Sequence, residues 1–211
     1  MLRRLFFFAM SLCFAMPALA QGRFELQPFA GYKFGGNIPV ECNFCPSDIN
    51  FIKLDILESM NYGVTFGLNA TDNVGLEFMW SRQPTQVQGR LATGLNPRKV
   101  DLDLDQFHGN LVFTFRDVEA KLRPFAFGGV GTTRFAGPKQ TDFRLSFAVG
   151  GGVKYFFNQH MGVRLQARYA PTYLYSTADG AWCDWYGFCY ISENGHYLQQ
   201  FDLTGGWIFR F

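Results

Sequence analysis

The 211-residue sequence predicts an all-β fold, an antiparallel barrel of eight strands in up-and-down order that crosses a membrane. Three observations carry this reading. Apolar residues alternate with small or charged ones at a period of two in several separate segments. The connections between those segments alternate between short and long. The chain is 18% aromatic with 25 Phe, yet no stretch after residue 20 is long enough to form a spanning helix.

The N-terminal segment stands apart from the barrel. Arg3 and Arg4 precede an apolar run from Leu5 to Met16, and Ala18-Leu19-Ala20 closes it, the pattern of an export signal cleaved before Gln21. A membrane-anchoring helix needs about twenty apolar residues, and Pro17 interrupts this run sooner. Cys13 follows Leu12, where a lipidation signal wants a small residue, so lipid anchoring is not expected. The expected division is a signal peptide over residues 1–20 and one barrel domain over 21–211. Losing Arg3 and Arg4 takes 19 basic residues to 17 against 17 acidic ones. Such a balance offers no basic face for nucleic acid.

The strands follow in order. Phe24 to Phe34 and Met60 to Leu68 alternate weakly, and the third strand, from Val74, is plain: Val74, Leu76, Phe78 and Trp80 oppose Gly75, Glu77, Met79 and Ser81. Phe107 to Phe115 and Phe125 to Phe135 supply the fourth and fifth. In the sixth, Phe143, Leu145, Phe147, Val149, Val153 and Tyr155 oppose Arg144, Ser146, Gly150, Gly152 and Lys154. In the seventh, Val163, Leu165 and Tyr169 oppose Arg164, Gln166 and Arg168. The eighth sets Tyr197, Phe201, Leu203, Trp207, Phe209 and Phe211 against Gln200, Asp202, Thr204, Gly206 and Arg210. Short turns fall at Thr71 to Asn73, Arg116 to Lys121 and Asn158 to His160, and longer loops at Gly35 to Asn50, Gln83 to Val100, Ala136 to Thr141 and Ser176 to Gly195.

A soluble barrel has the same period with its faces exchanged, so the composition of the minor face decides. It is rich in Gly, Ala, Ser and Thr with scattered charges, which suits the narrow interior of eight strands. The bulky face carries Trp80, Tyr155, Tyr169, Trp207 and Phe209 near strand ends, where aromatic girdles sit. Clusters at Gly128, Gly129, Gly131 and at Gly150 to Gly152 permit curvature and close aromatic cover. They lack the spacing of a nucleotide loop.

On these residues the chain resembles the OmpA-type eight-stranded outer-membrane β-barrels, the outer-membrane β-barrel domain family. The resemblance spans Gly22 to Phe211 and rests on Arg123-Pro124-Phe125-Ala126-Phe127-Gly128-Gly129-Val130-Gly131, on Gly150 to Tyr155 and on Gly162 to Tyr169. It implies a place in the bacterial outer membrane, among lipid and lipopolysaccharide. It also implies that Trp207, Phe209 and Phe211 form the segment read by the outer-membrane assembly machinery. The family includes anchors, adhesins and small channels, so the resemblance speaks to location more than to function.

Parity puts Glu25, Lys33, Glu77, Lys154, Arg164, Arg168 and Asp202 inside, four basic against three acidic. Isolated charges in so narrow a space are costly, so they are expected to pair and plug the lumen. A structural or surface-interaction protein working through its outer loops is the leading reading, and a small channel is the alternative. A lipid-modifying enzyme ranks third. His196 lies near Ser192 and Glu193, but the serine precedes the histidine by four residues, unlike the His-x-Ser order of the family's deacylases. No catalytic residue, cofactor or metal site is assigned. Asp101, Asp103 and Asp105 have the spacing of a calcium-loop opening, but Gln106 and Val112 occupy the Gly and Glu positions. They are read as a solvated strand extension above the bilayer; the alternative is a divalent ion bridging them to lipopolysaccharide phosphates, which Arg90, Arg98 and Lys99 could instead touch directly.

Four cysteines remain after residue 20, Cys42 and Cys45 in the first long loop and Cys183 and Cys189 in the fourth. Outside the cell an even count implies disulfides. Two pairings are open: Cys42 with Cys45 and Cys183 with Cys189, or crossed bonds between the loops. The local pairs are favoured because short closures cost less entropy. Either would brace Trp182, Trp185, Tyr186, Phe188 and Tyr190, which act as a contact surface for an extracellular ligand or as a cap on the barrel mouth.

Overall fold

Strands whose two faces meet different surroundings pair on both edges until the sheet closes, because an open edge in lipid would leave backbone groups without partners. The computed structural model describes residues 23–41, 51–91, 99–115, 120–137, 141–174, 182–183, 189–192 and 196–211. Its strands are β1 (Phe24–Phe34), β2 (Asn37–Glu41), β3 (Phe51–Ile56), β4 (Ser59–Asn69), β5 (Val74–Leu91), β6 (Lys99–Thr114) and β7 (Leu122–Ala136). Then come β8 (Thr141–Phe156), β9 (Met161–Tyr169), β10 (Thr172–Leu174), β11 (Trp182–Cys183), β12 (Cys189–Ser192), β13 (His196–Leu198) and β14 (Phe201–Arg210).

These make eight wall strands. β1 runs on into β2, β3 into β4, β9 into β10 and β13 into β14, each across a two-residue interruption. At the first, Gly35 and Gly36 have φ of 76° and 124°, left-handed conformations that only glycine enters at no cost. Every wall strand is antiparallel to its neighbours, and β1 pairs with β14 to close the barrel.

Paired residues traced once around the wall run from Phe24 through Leu68, Leu76, Leu111, Gly128, Val149, Tyr169 and Phe201 to Phe34. The path rejoins the first strand 34 − 24 = 10 residues further along, a shear of ten. With usual strand spacings, that stagger on eight strands tilts them about 40° from the barrel axis.

Burial is inverted relative to a soluble barrel. Among the described residues, 26 polar or charged side chains are buried against 15 apolar ones, and the exposed set is rich in Phe, Leu, Tyr and Val. Phe66, Phe78, Val130, Val149, Leu165 and Leu203 face outward along the middle of the wall. The soluble-barrel alternative is thereby excluded, since its exposed face would be polar.

The loop expected from Gln83 to Val100 is shorter than its boundaries implied. The β5–β6 ladder continues past the membrane to Val87 opposite Val100 and Gln88 opposite Lys99. Here both faces of the strand meet polar surroundings or a small inner core, so the contrast that marks strands in lipid fades. The expected Gly35 to Asn50 and Ser176 to Gly195 loops also hold strands. β11 and β12 form a hairpin that adds to β2, with Ile191 opposite Glu41.

Candidate functional site

The lumen gathers the ionisable side chains because every second residue of each strand points inward. Low in the barrel Glu25 is the hub. It accepts hydrogen bonds from Gln27 Nε2 at 2.8 Å, Asn69 Nδ2 at 3.1 Å, Lys154 Nζ at 2.8 Å and Arg210 Nη2 at 2.6 Å. Glu77, from β5, accepts from Arg164 Nη1 at 2.7 Å and Lys154 Nζ at 3.3 Å. Lys154 thus joins both carboxylates. Aromatic rings support the cations: Arg164 lies 4.2 Å from the centre of Phe125, and Arg123 and Arg210 lie 4.4 and 4.1 Å from that of Phe156.

Higher up, Arg168 donates to Asp202 Oδ2 through Nε at 2.8 Å and Nη2 at 2.6 Å, and Nη2 reaches Gln106 Oε1 at 3.0 Å. The same Gln106 oxygen accepts from Lys33 Nζ at 2.8 Å. Gln106 Nε2 donates to Gln200, and Gln200 to Gln83, which carries the chain of amides across the barrel. All seven lumen residues named from parity are buried, and two networks bring them together: Glu25, Glu77, Lys154 and Arg164 below, Lys33, Arg168 and Asp202 above. Arg210 completes the lower network through Glu25, while Arg123, buried beside it on the Phe156 ring, donates to the Ala120 carbonyl; neither was counted among the lumen charges from the sequence.

His108 Nε2 lies 3.0 Å from Ser146 Oγ, both side chains fully buried. A serine beside a histidine invites comparison with a nucleophile and its base. The other ring nitrogen, Nδ1, faces Arg168 Nη1 at 3.5 Å, and a guanidinium only donates. The neighbour of Nδ1 is thus a cation, where a hydrolytic triad places the carboxylate that orients its histidine. Among the described residues no carboxylate is hydrogen-bonded to this histidine.

A second closure lies above the networks. Ile56, Val87, Leu102, Leu104, Phe135, Leu174 and Leu198 form one buried apolar cluster inside the extracellular end of the barrel. These residues come from six of the eight wall strands, and Gly36 adds the backbone of a seventh, since a Cβ there would lie 3.1 Å from Ile56 and 3.3 Å from Leu198. Sequence reasoning missed this stopper. Its signal was apolar residues at inward positions near the strand tops; Val87 was read as loop, and the others were not recognised as a cluster. Beside the lower network, a cavity of about 10 Å³ next to Arg164 and Gln166 has room for about one water.

The final strand closes the wall: Phe211 N donates to Phe24 O at 2.9 Å. Trp207 and Phe211 face outward, and the Trp207 ring lies 6.2 Å from Phe157. Asp103 and Asp105 are engaged by Arg82 and Arg134, and Asp101 accepts from Gln86 at 2.9 Å. No metal-binding group of His, Cys, Asp or Glu occurs among the described residues. Backbone pairing sets Cys183 opposite Cys189 and Trp182 opposite Tyr190. Cys42, Cys45, Trp185, Tyr186, Phe188 and residues 1–22 lie outside the described residues.

Residues 6–209 match the family model for the outer membrane protein beta-barrel domain. No curated protein matches the chain. Among solved structures, the outer membrane protein OprG from Pseudomonas aeruginosa is similar with a TM-score of 0.61 at 13% identity, over 91% of this chain and 98% of that one. Neisserial surface protein A gives 0.58 at 12%, over 91% and 99%. The outer membrane protein AlkL gives 0.54 at 12%, over 93% and 94%. At such identities the likeness speaks to fold. With the family match over nearly the whole length and a barrel whose apolar face is turned outward, the chain belongs to the outer-membrane β-barrel domain family and is a protein of the bacterial outer membrane.

Proposed function

We propose that this protein is a closed barrel, exported with removal of residues 1–20, that acts as a structural and surface-interaction protein through its extracellular loops. The observation that carries the reading is the double closure of the lumen. Ion pairs from Glu25 to Arg168 occupy its middle and periplasmic parts, and the Ile56 to Leu198 cluster fills its outer end. Water-filled porins keep an open polar lumen instead.

The loops then carry the contacts. A disulfide between Cys183 and Cys189 would hold the β11–β12 hairpin, and with Trp182, Trp185, Tyr186, Phe188 and Tyr190 in this stretch of the sequence it would make a rigid aromatic contact surface. Its partners would be an extracellular ligand and the lipopolysaccharide around the barrel, with Trp207, Phe209 and Phe211 read by the assembly machinery beforehand.

Planar-bilayer recording of purified protein tests the closed lumen. Silence or rare, brief steps are expected. Frequent, stable, ion-selective openings would instead make the protein a small channel. Non-reducing peptide mapping tests the bond, with free thiols at Cys183 and Cys189 counting against it.

A further inference from the structure

We infer that the outer wall over β5, β6 and β7 carries a seat for the phosphorylated saccharide headgroup of an outer-leaflet glycolipid, built by Arg82, Asp105 and Arg134. The inference rests on the outer-membrane location and not on what the loops or the lumen do.

The three residues are direct neighbours in the sheet, Arg82 opposite Asp105 and Asp105 opposite Arg134. Two strand spacings separate the arginines' backbones, about 10 Å. The row faces outward just above the apolar band. Arg82 is two residues beyond Trp80, Asp105 two beyond Phe107, and Arg134 four beyond Val130, each toward the cell exterior. Headgroups of the outer leaflet lie at that height.

Asp105 is only 2% exposed, because the two guanidiniums cover it. Arg134 Nη1 donates to Oδ2 at 3.1 Å, while Arg82 turns Nη2 to Asp103 and brings Nε no nearer than 3.9 Å to Asp105 Oδ1. Oδ1 is buried and accepts no hydrogen bond. The arginines stay accessible, their side chains 36% and 38% exposed. The hydrogen bond to Asp103, and the charge of Asp105 beside it, raise the Arg82 pKa above its ordinary value.

An oxygen lacking a donor, set between two accessible cations, asks for a ligand with complementary parts. Phosphate oxygens fit the guanidinium forks. A sugar hydroxyl or amide N–H supplies the donor that Oδ1 lacks once Arg82, whose Nε stands 3.9 Å from it, turns aside. Cations held one carboxylate apart match a headgroup with two phosphates and a donor between them, whereas a phospholipid's single phosphodiester fills one half. Asp105 holds Arg134 in the wall by a hydrogen bond, and Asp103 holds Arg82.

The test uses the mature barrel in lipid nanodiscs supplied with bis-phosphorylated lipopolysaccharide, the retained molecules being counted by native mass spectrometry. R82Q with R134Q is expected to lower retention about tenfold, with the heat-dependent gel shift confirming a folded barrel. Dephosphorylated lipopolysaccharide is expected to be lost equally from the unchanged protein. If the double variant fails to assemble, R134Q alone, which leaves Arg82 on Asp103, is expected to lower retention about threefold. Undiminished retention by either folded variant overturns the inference, and so does retention of phosphatidylglycerol as tight as that of lipopolysaccharide.

Discussion

Glu25 takes part in more of the lumen's hydrogen bonds than any other carboxylate, receiving donors from Gln27, Asn69, Lys154 and Arg210. Removing it takes from the buried Arg210 its carboxylate partner and leaves Lys154 with the 3.3 Å bond to Glu77. Breaking one side of a buried pair typically costs about 3 to 5 kcal/mol. Glu25→Ala is therefore expected to lower stability by about that amount, read as a lower urea midpoint for unfolding from lipid vesicles, and an unchanged midpoint would show the pairing to be idle. The inward positions were legible from parity alone, as was the Asp202–Arg168 pair, which sits in direct register on adjacent strands. The partners of Glu25 were not. Glu25 to Lys154 crosses the barrel, and that meeting depends on a stagger that no local pattern records. Arg210 was seen to face inward but could be joined to Glu25 only once β1 and β14 were known to pair with Glu25 opposite Arg210.

At the scale of the strand, the portions in lipid announced themselves and the portions above it did not. From Val74 to Trp80 outward residues are apolar; from Arg82 to Gln86 the outward residues are Arg82, Pro84 and Gln86, and the pattern dissolves although the ladder continues. What holds the upper strands is the stopper, and Leu104, fully buried in it, tests that. Leu104→Ala is expected to cost about 2 to 5 kcal/mol. The loss should be local: amide exchange in the tips around Val87 and Val100 should accelerate while the strands around Lys154 keep their protection. Uniform acceleration, or none, would speak against a separate upper core. Lower in the wall, Gly131 shows why the glycine clusters matter. A Cβ there would lie 1.8 Å from Phe107 O on the paired strand. Gly131→Val should prevent the β6–β7 ladder from forming, read as loss of the heat-modifiable band, while Gly109→Val, where a Cβ meets nothing nearer than 4.0 Å, should assemble.

The whole molecule is placed in the membrane by its outer face, and the tilt set by the shear turns residue positions into heights. At about 40° of tilt each residue adds about 2.5 Å of height. On the closing strand the outward face runs from Phe211 to Phe201, 211 − 201 = 10 residues, or about 25 Å, the height of an outer-membrane apolar band. Leu203 lies inside this band with half its surface exposed, and Gln199, four residues further on the same face, lies about 10 Å higher, beyond Phe201. An arginine at the first position must enter hydrocarbon, whereas at the second it reaches headgroups and water. Leu203→Arg is accordingly expected to destabilise the barrel by about 2 to 4 kcal/mol and Gln199→Arg by less than about 1 kcal/mol, both measured by urea titration in vesicles. The comparison separates membrane placement from packing, because both side chains point away from the lumen and neither substitution disturbs the networks inside. Equal costs at the two sites would mean that the apolar band does not end near Phe201, and the height assigned to Arg82, Asp105 and Arg134 would have to be redrawn with it.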